Sequence, residues 1–170
     1  VHVGRGSTFA HQAANAGMEL VAVCDIWKEH LDALGKQFPK VSTYESFDEF
    51  LNHKMDAVVL ANYSHDHAPF AVKALDAGLH VMSEVIAVRT MGQAVELAEA
   101  VERSGKIYMM AENYCYFAYN QEMRRLYQAG EIGEVQFAEC EYIHPEPGVT
   151  LNRLGPGLDH WRNWLPSTYY

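Results

Sequence analysis

An α/β protein built on a doubly wound parallel sheet is what this chain predicts, on three observations. Short apolar, β-branched runs alternate with stretches of helical spacing. Glycines and prolines punctuate the joins. The apolar runs end in polar residues, at Asp25, at Asn62-Tyr63-Ser64-His65, at Glu84 and at Glu112-Asn113. Short apolar runs suit strands buried on both faces, and an alternating strand–helix order means parallel strands joined by crossovers. Parallel strands finish along one edge, which is where open α/β sheets bind ligands. Polar strand ends at roughly even spacing therefore suggest a nucleotide cofactor lying across the sheet.

Taken in order, residues 1–3 read as the stub of a first strand, followed by a helix over about residues 6–16 that ends near Gly17. Residues 20–24 make a buried strand. Trp27, Leu31, Leu34 and Phe38 have helical spacing, and Pro39 stops that helix. A short strand over 41–44 precedes Ser46, which caps a short helix carrying Phe47, Phe50 and Leu51. Residues 56–61 are the next buried strand. Pro69 suits the first turn of a helix to Ala77, with Gly78 as its stop. A strand over 79–82 follows. Thr90 and Gln93 form a capping-box pattern ahead of Ala94, Leu97, Ala98 and Val101 on one helical face. Gly105 ends that helix, and 107–111 form one more strand. Asn120 is placed to cap a helix through Met123, Leu126 and Tyr127 that Gly130 stops. After Gly133 the pattern changes. Residues 135–143 alternate like a half-exposed strand, the expected opening of a second domain with an antiparallel sheet.

With 170 residues the chain is long enough for one good core and part of another unit. Apolar residues at 49% and charged residues at 21% exclude a disordered or fibrous chain. The net charge of −9, without a Lys/Arg block, argues against nucleic acid or an anionic membrane as partner. The longest apolar runs, such as 57–61, are too short to span a bilayer. Cys24, Cys115 and Cys140 are odd in number and widely spaced, which gives neither a disulfide framework nor a zinc pattern. A reducing, cytoplasmic setting is the expectation. The chain opens on Val1 and stops at Tyr170 with no terminal helix or polar tail, so we expect a piece of a longer protein.

Several residues could carry chemistry. Gly4-Arg5-Gly6-Ser7 is a Gly-rich turn between strand and helix, where phosphates approach the backbone and meet a helix N-terminus. The full fingerprint has three glycines; here His2 or Val3 stands at the first position and Ser7 near the third. Asp25, 19 residues past Gly6, stands where an acid binds the adenosine ribose, and an acid there favours NAD over NADP. It can equally open the helix that follows. His65 and His67 form a His-x-His pair, but no third ligand sits nearby, so no metal is expected; cofactor contact or helix capping is the preferred role. Glu84 follows a strand, as do Glu112 and Asn113, with the aromatics Tyr114, Tyr116, Phe117 and Tyr119 beyond. His144 and the segment His160-Trp161-Arg162-Asn163-Trp164 are candidates for sugar recognition or for packing under a long loop.

An ordered series of motifs resembles the Gfo/Idh/MocA oxidoreductases, named for glucose–fructose oxidoreductase and inositol dehydrogenase. The series is Gly4-Arg5-Gly6, Asp25, Asp56-Ala57-Val58, Asn62 to His65, Ala77-Gly78-Leu79-His80-Val81, Glu84, Asn113 and Gly130-Glu131-Ile132-Gly133-Glu134-Val135. The resemblance implies an NAD(P)-binding Rossmann domain over 1–118 and, over 119–170, the beginning of a substrate and dimerisation domain. It also implies hydride transfer between nicotinamide and a sugar or cyclitol carbon, and a homo-oligomeric parent.

The family's usual pattern at the end of the strand over 79–82 is Glu-Lys-Pro, whose Lys assists proton transfer. This chain has Glu84-Val85-Ile86, and valine moves no proton, which leaves a non-catalytic NAD-binding relative as one alternative. Glu84-Val85, Glu112-Asn113 with Cys115-Tyr116, and Tyr142-Ile143-His144 are similar to the family's NAD-dependent α-N-acetylgalactosaminidase branch. That branch oxidises a sugar hydroxyl transiently, eliminates the glycosidic substituent, adds water and reduces the ring, an exception to two-carboxylate glycosidases. The resemblance implies NAD contacts from Arg5, Gly6, Asp25, Asn62, His65, Glu84, Val85 and Asn113, with Gly4 in the phosphate turn. It implies a sugar faced by Tyr142, Arg162 and Tyr170, with Glu84, Tyr142 and Tyr170 as catalytic candidates. The branch motif Tyr-x-x-His puts its expected base, a His, just beyond Tyr170.

Overall fold

A computed structural model describes residues 5–141. The elements alternate as the sequence predicts. Helix α1 (Arg5–Gln12) is followed by a 3₁₀ turn (Ala14–Ala16), β1 (Ala22–Cys24), α2 (Lys28–Gln37), β2 (Ser42–Tyr44) and the short α3 (Phe47–Phe50). Then come β3 (Ala57–Leu60), a 3₁₀ turn (Ser64–Asp66), α4 (His67–Asp76), β4 (His80–Ser83), α5 (Met91–Ser104) and β5 (Tyr108–Met110). A 3₁₀ turn (Tyr114–Tyr116) and α6 (Ala118–Gln128) complete the described elements. The expected first strand over 1–3 lies outside the described residues.

Every strand pairing among the described residues is parallel. β1 pairs with β2, and β4 lies between β3 and β5. The register is even, with Leu60 opposite Ser83 and Ser83 opposite Met110, so β3, β4 and β5 finish together. Polar residues follow within two positions of each of these three strand ends, at Asn62, Glu84 and Glu112.

Local chemistry sets the helix limits. Thr90 Oγ1 accepts from the Gln93 N–H at 3.2 Å and so starts α5. The Gln93 side chain returns to the N–H of Arg89, one residue ahead of the cap, at 2.8 Å. Ser46 accepts from the Glu49 N–H and starts α3. Gly105 closes α5 with φ of 63°, a left-handed conformation that an L side chain resists.

The core gathers on α4 and the strands it covers. Ala71, Val72, Ala74 and Leu75 meet Val58, Leu60, Val81, Leu97 and Ala100. Small residues along α4 let it approach sheet and α5 closely. Leu75 is fully buried, and truncating it to Ala costs about 2–5 kcal/mol by the usual cavity cost. On α5 the buried residues are Leu97 and Ala100, while the predicted Ala98 is exposed.

Two compact units divide the described residues, 5–111 and 112–141. The second holds the 3₁₀ turn 114–116 and α6. Helix α6 begins at Ala118, so Asn120 is inside it and not its cap; its Nδ2 donates to the Tyr114 carbonyl at 2.7 Å. The expected strand over 135–143 is absent from its described part, 135–141. No neighbouring strand among the described residues offers it a ladder, and alternation alone satisfies no backbone group.

Candidate functional site

The common end of β3 and β4 is where the first unit concentrates its polar strand ends. Asn62 follows β3 by two residues, and Glu84 follows β4 directly. The Glu84 N–H donates to the Leu60 carbonyl at 2.8 Å, which extends the pairing by one step and fixes where Glu84 leaves the sheet. Glu84 Oε2 then accepts from the Val85 N–H at 3.0 Å. The carboxylate is folded over its own turn and only 16% exposed, so it is not a solvated loop group.

Helix α1 brings its first turn to the same place. A Cβ built on Gly6 would lie 3.5 Å from Cβ of Ala61, the residue after β3. Arg5, the first residue of α1, has Nε 3.8 Å from Glu84 Oε1 and a side chain 72% exposed. An ion pair this open adds little stability. Its consequence is local, in that it joins the start of α1 to the end of β4. The first turn of a helix also presents N–H groups with no partner inside the helix, a ready anion site.

Asp25 stands one residue past β1, and its backbone N–H donates to the Tyr44 carbonyl at 3.1 Å. Oδ1 accepts from the Trp27 N–H at 2.8 Å, which orients the carboxylate at the start of α2. The other oxygen makes no hydrogen bond or ion pair among the described residues. Beside it, burial first and the Asp25 charge second push the Cys24 thiol up to about 11. Cys24 is therefore a protonated, unreactive thiol at neutral pH.

His65 lies in the 3₁₀ turn after β3, with Nε2 3.4 Å from Asp66 Oδ2 and its ring 5.9 Å from that of Tyr63. Asn62 is exposed. His67, two residues on, is 1% exposed, with Nδ1 2.7 Å from the Ile86 carbonyl oxygen and Nε2 3.1 Å from that of Asn62. Both ring nitrogens are thus committed to backbone. Among the described residues no group of three or more His, Cys, Asp or Glu side chains is placed to hold a metal ion.

Of the residues singled out in the sequence, Arg5, Gly6, Asn62, Glu84 and Val85 come together at the β3–β4 end. Asp25 stands at the end of β1. Asn113 is exposed in the second unit, where its carbonyl accepts from the Tyr116 N–H at 3.0 Å. Gly4, Tyr142, Arg162 and Tyr170 lie outside the described residues. His67 is the residue whose geometry the sequence did not reveal. Its partner Ile86 is 19 residues away, and the spacing drew attention to a metal pair instead.

These residues fit a dinucleotide. A carboxylate with one uncommitted oxygen suits ribose hydroxyls, the first turn of α1 suits a pyrophosphate, and a carboxylate at Asp25 repels a 2′-phosphate. Fold and site together define an NAD-binding Rossmann protein. The sequence pattern of the oxidoreductase family with an NAD-binding Rossmann fold, Gfo/Idh/MocA, matches residues 3–112. The chain belongs to that family.

An α-N-acetylgalactosaminidase of Tannerella forsythia is 30% identical over 165 residues, 88% of this chain and 35% of that protein. The chain thus spans about a third of the length of that curated relative. The WlbA dehydrogenase of Bordetella pertussis, solved in complex with NADH and UDP-GlcNAcA, superposes with a TM-score of 0.72. It is 26% identical, over 76% of this chain and 38% of its own. The scyllo-inositol dehydrogenase of Lactobacillus casei, solved with NAD(H) and scyllo-inositol, has a TM-score of 0.71 over 78% of this chain and 40% of its own. At 22% identity it speaks for the fold alone.

Proposed function

We propose that the full-length protein is an NAD-dependent oxidoreductase that moves hydride at a carbohydrate or cyclitol carbon. The observation that carries this reading is the junction of α1, β3 and β4, tied by the Arg5–Glu84 contact and the Gly6–Ala61 approach. Family membership supports it, as does the likeness to a dehydrogenase solved with NADH and a nucleotide sugar.

Bound NAD supplies the hydride acceptor. In this reading Asp25 accepts hydrogen bonds from the adenosine ribose, and the turn at Gly4, Arg5 and Gly6 receives the pyrophosphate. Asn62, His65, Glu84, Val85 and Asn113 line the remainder of the cofactor. Glu84, already held by the Val85 N–H, orients the nicotinamide ribose or the substrate. Hydride leaves carbon more readily as the hydroxyl beside it loses its proton, so a general base is required. Val85 cannot be that base. We place the substrate-facing groups at Tyr142, Arg162 and Tyr170, with Tyr142 and Tyr170 next to the reacting carbon.

The wider assignments are proposals on the same footing. Residues 1–118 form the cofactor domain and 119–170 open the substrate domain. The parent is a homo-oligomer working in the cytoplasm, in keeping with the three free cysteines of this chain, and it binds no nucleic acid or membrane. No helix among the described residues is long and apolar enough to cross a membrane.

Val85 favours one second reading, in which the oxidation is transient and serves glycosidic cleavage, the activity named for the Tannerella relative. Incubating the full-length protein with NAD and either free sugars and cyclitols or an aryl α-N-acetylgalactosaminide separates the two. Stoichiometric NADH from a free polyol supports net oxidation. Release of the aryl alcohol with no net NADH supports the glycosidase. Tight NAD binding with neither product contradicts both.

A further inference from the structure

His67 is a buried titratable side chain that the proposed chemistry does not use. Its neighbours in α4, Ala68 and Ala71, are small and apolar, and an imidazole in such a place is costly unless its nitrogens are bonded. Both meet backbone carbonyls, in different loops. Nδ1 meets the Ile86 carbonyl oxygen at 2.7 Å, in the loop after β4. Nε2 meets the Asn62 carbonyl oxygen at 3.1 Å, in the loop after β3. Carbonyl oxygens only accept and a neutral imidazole carries one N–H, so the tautomer decides which loop receives the hydrogen bond while the other ring nitrogen stays in close contact with the second carbonyl. Neither loop has ladder partners at these residues, since β3 ends at Leu60 and β4 at Ser83. One rigid ring, anchored in the first turn of α4, therefore sets the separation of two irregular segments.

We propose that His67 is a positioning residue, a strap that holds the Asn62 and Ile86 backbones at the spacing that seats the nicotinamide half of NAD. This rests on the cofactor reading above, because Asn62 and Glu84-Val85 are the groups it positions. The commitment of both nitrogens also removes His67 as a metal ligand.

The test uses the full-length protein and three variants. His67→Phe keeps a ring and loses both contacts. His67→Gln keeps an amide donor for one carbonyl. Leu75→Ala empties a buried site further along the same helix. NAD affinity by calorimetry, melting temperature and amide hydrogen exchange are measured on each. The strap predicts that His67→Phe weakens NAD by about tenfold or more, the scale for small misplacement of binding groups. It predicts that His67→Gln recovers part of that loss, and that Leu75→Ala lowers the melting temperature while leaving NAD affinity unchanged. Exchange rises in His67→Phe at residues 61–66 and 84–88 and not across α5. The proposal is overturned if His67→Phe loses no more affinity than Leu75→Ala does and protection at 84–88 is unchanged. A wild-type protein that binds no NAD overturns the cofactor reading instead, and the exchange pattern then decides the strap by itself.

Discussion

Gly6 shows how a single residue separates a packing role from a binding role. It sits in the first turn of α1, where an added Cβ would make only ordinary contact with Ala61 at 3.5 Å. The fold itself therefore tolerates a methyl group, and a helical Gly→Ala change favours the folded state by up to about 1 kcal/mol. Pyrophosphate approaching the backbone would meet that methyl, at the usual overpacking cost of about 1–3 kcal/mol. Gly6→Ala is expected to melt no lower than wild type and to bind NAD more weakly, as thermal melts and calorimetry on the same sample will report. Asp25 and Glu84 were legible in the sequence because each stands where an apolar run stops, and Gly6 because it belongs to a glycine-rich turn. His67 was not, since its role depends on a carbonyl brought near by the crossover between β3 and β4. Asn120 misled for a related reason. An Asn ahead of an apolar stripe looks like a cap, but the turn at 114–116 supplies a carbonyl for its amide inside the helix.

At the scale of elements, strands and helices were readable because propensity, capping and punctuation agree along residues 20–110. Where they disagree the reading failed, as in 135–141, where alternation is present and a ladder partner is not. The packing of α4 against α5 depends on fit that no period reveals. Small residues let the helices close, and Arg103 at the end of α5 grips Asp76 at the end of α4 with two bonds of 2.7 Å. That hydrogen-bonded guanidinium holds the Asp76 carboxyl below the ordinary carboxylate value. It also offsets an acid at a helix C-terminus, where the backbone dipole disfavours one. A carboxylate whose folded value is depressed stabilises the fold above its unfolded value, about 4, and loses that contribution as pH falls through its folded value. The pair is solvent-exposed, so the effect is small. Asp76→Asn should lower the melting temperature slightly near neutral pH, with the gap from wild type shrinking as pH drops below about 4. A gap independent of pH would mean the pair contributes through shape and not charge.

For the whole molecule, the order of strands and helices predicted a parallel sheet with its ligand edge at the strand ends, and β3, β4 and β5 finish in register as that requires. The chemistry beyond the cofactor was less legible. Of the residues proposed to face a substrate, Arg162 and Tyr170 lie in a stretch with little regular sequence pattern and Tyr142 in an alternating one, and Val85 stands where the family resemblance leads one to expect a Lys. In the proposed function the carboxyl ends of these strands seat NAD with Asp25 on the adenosine ribose. Calorimetric titration of NAD into the full-length protein and its Asp25→Ala variant tests it most directly. Binding to the wild type is expected, weakened by about 1–3 kcal/mol in Asp25→Ala, the scale for lost charge-assisted hydrogen bonds. Equal affinity in the two proteins, or no binding to either, would contradict it.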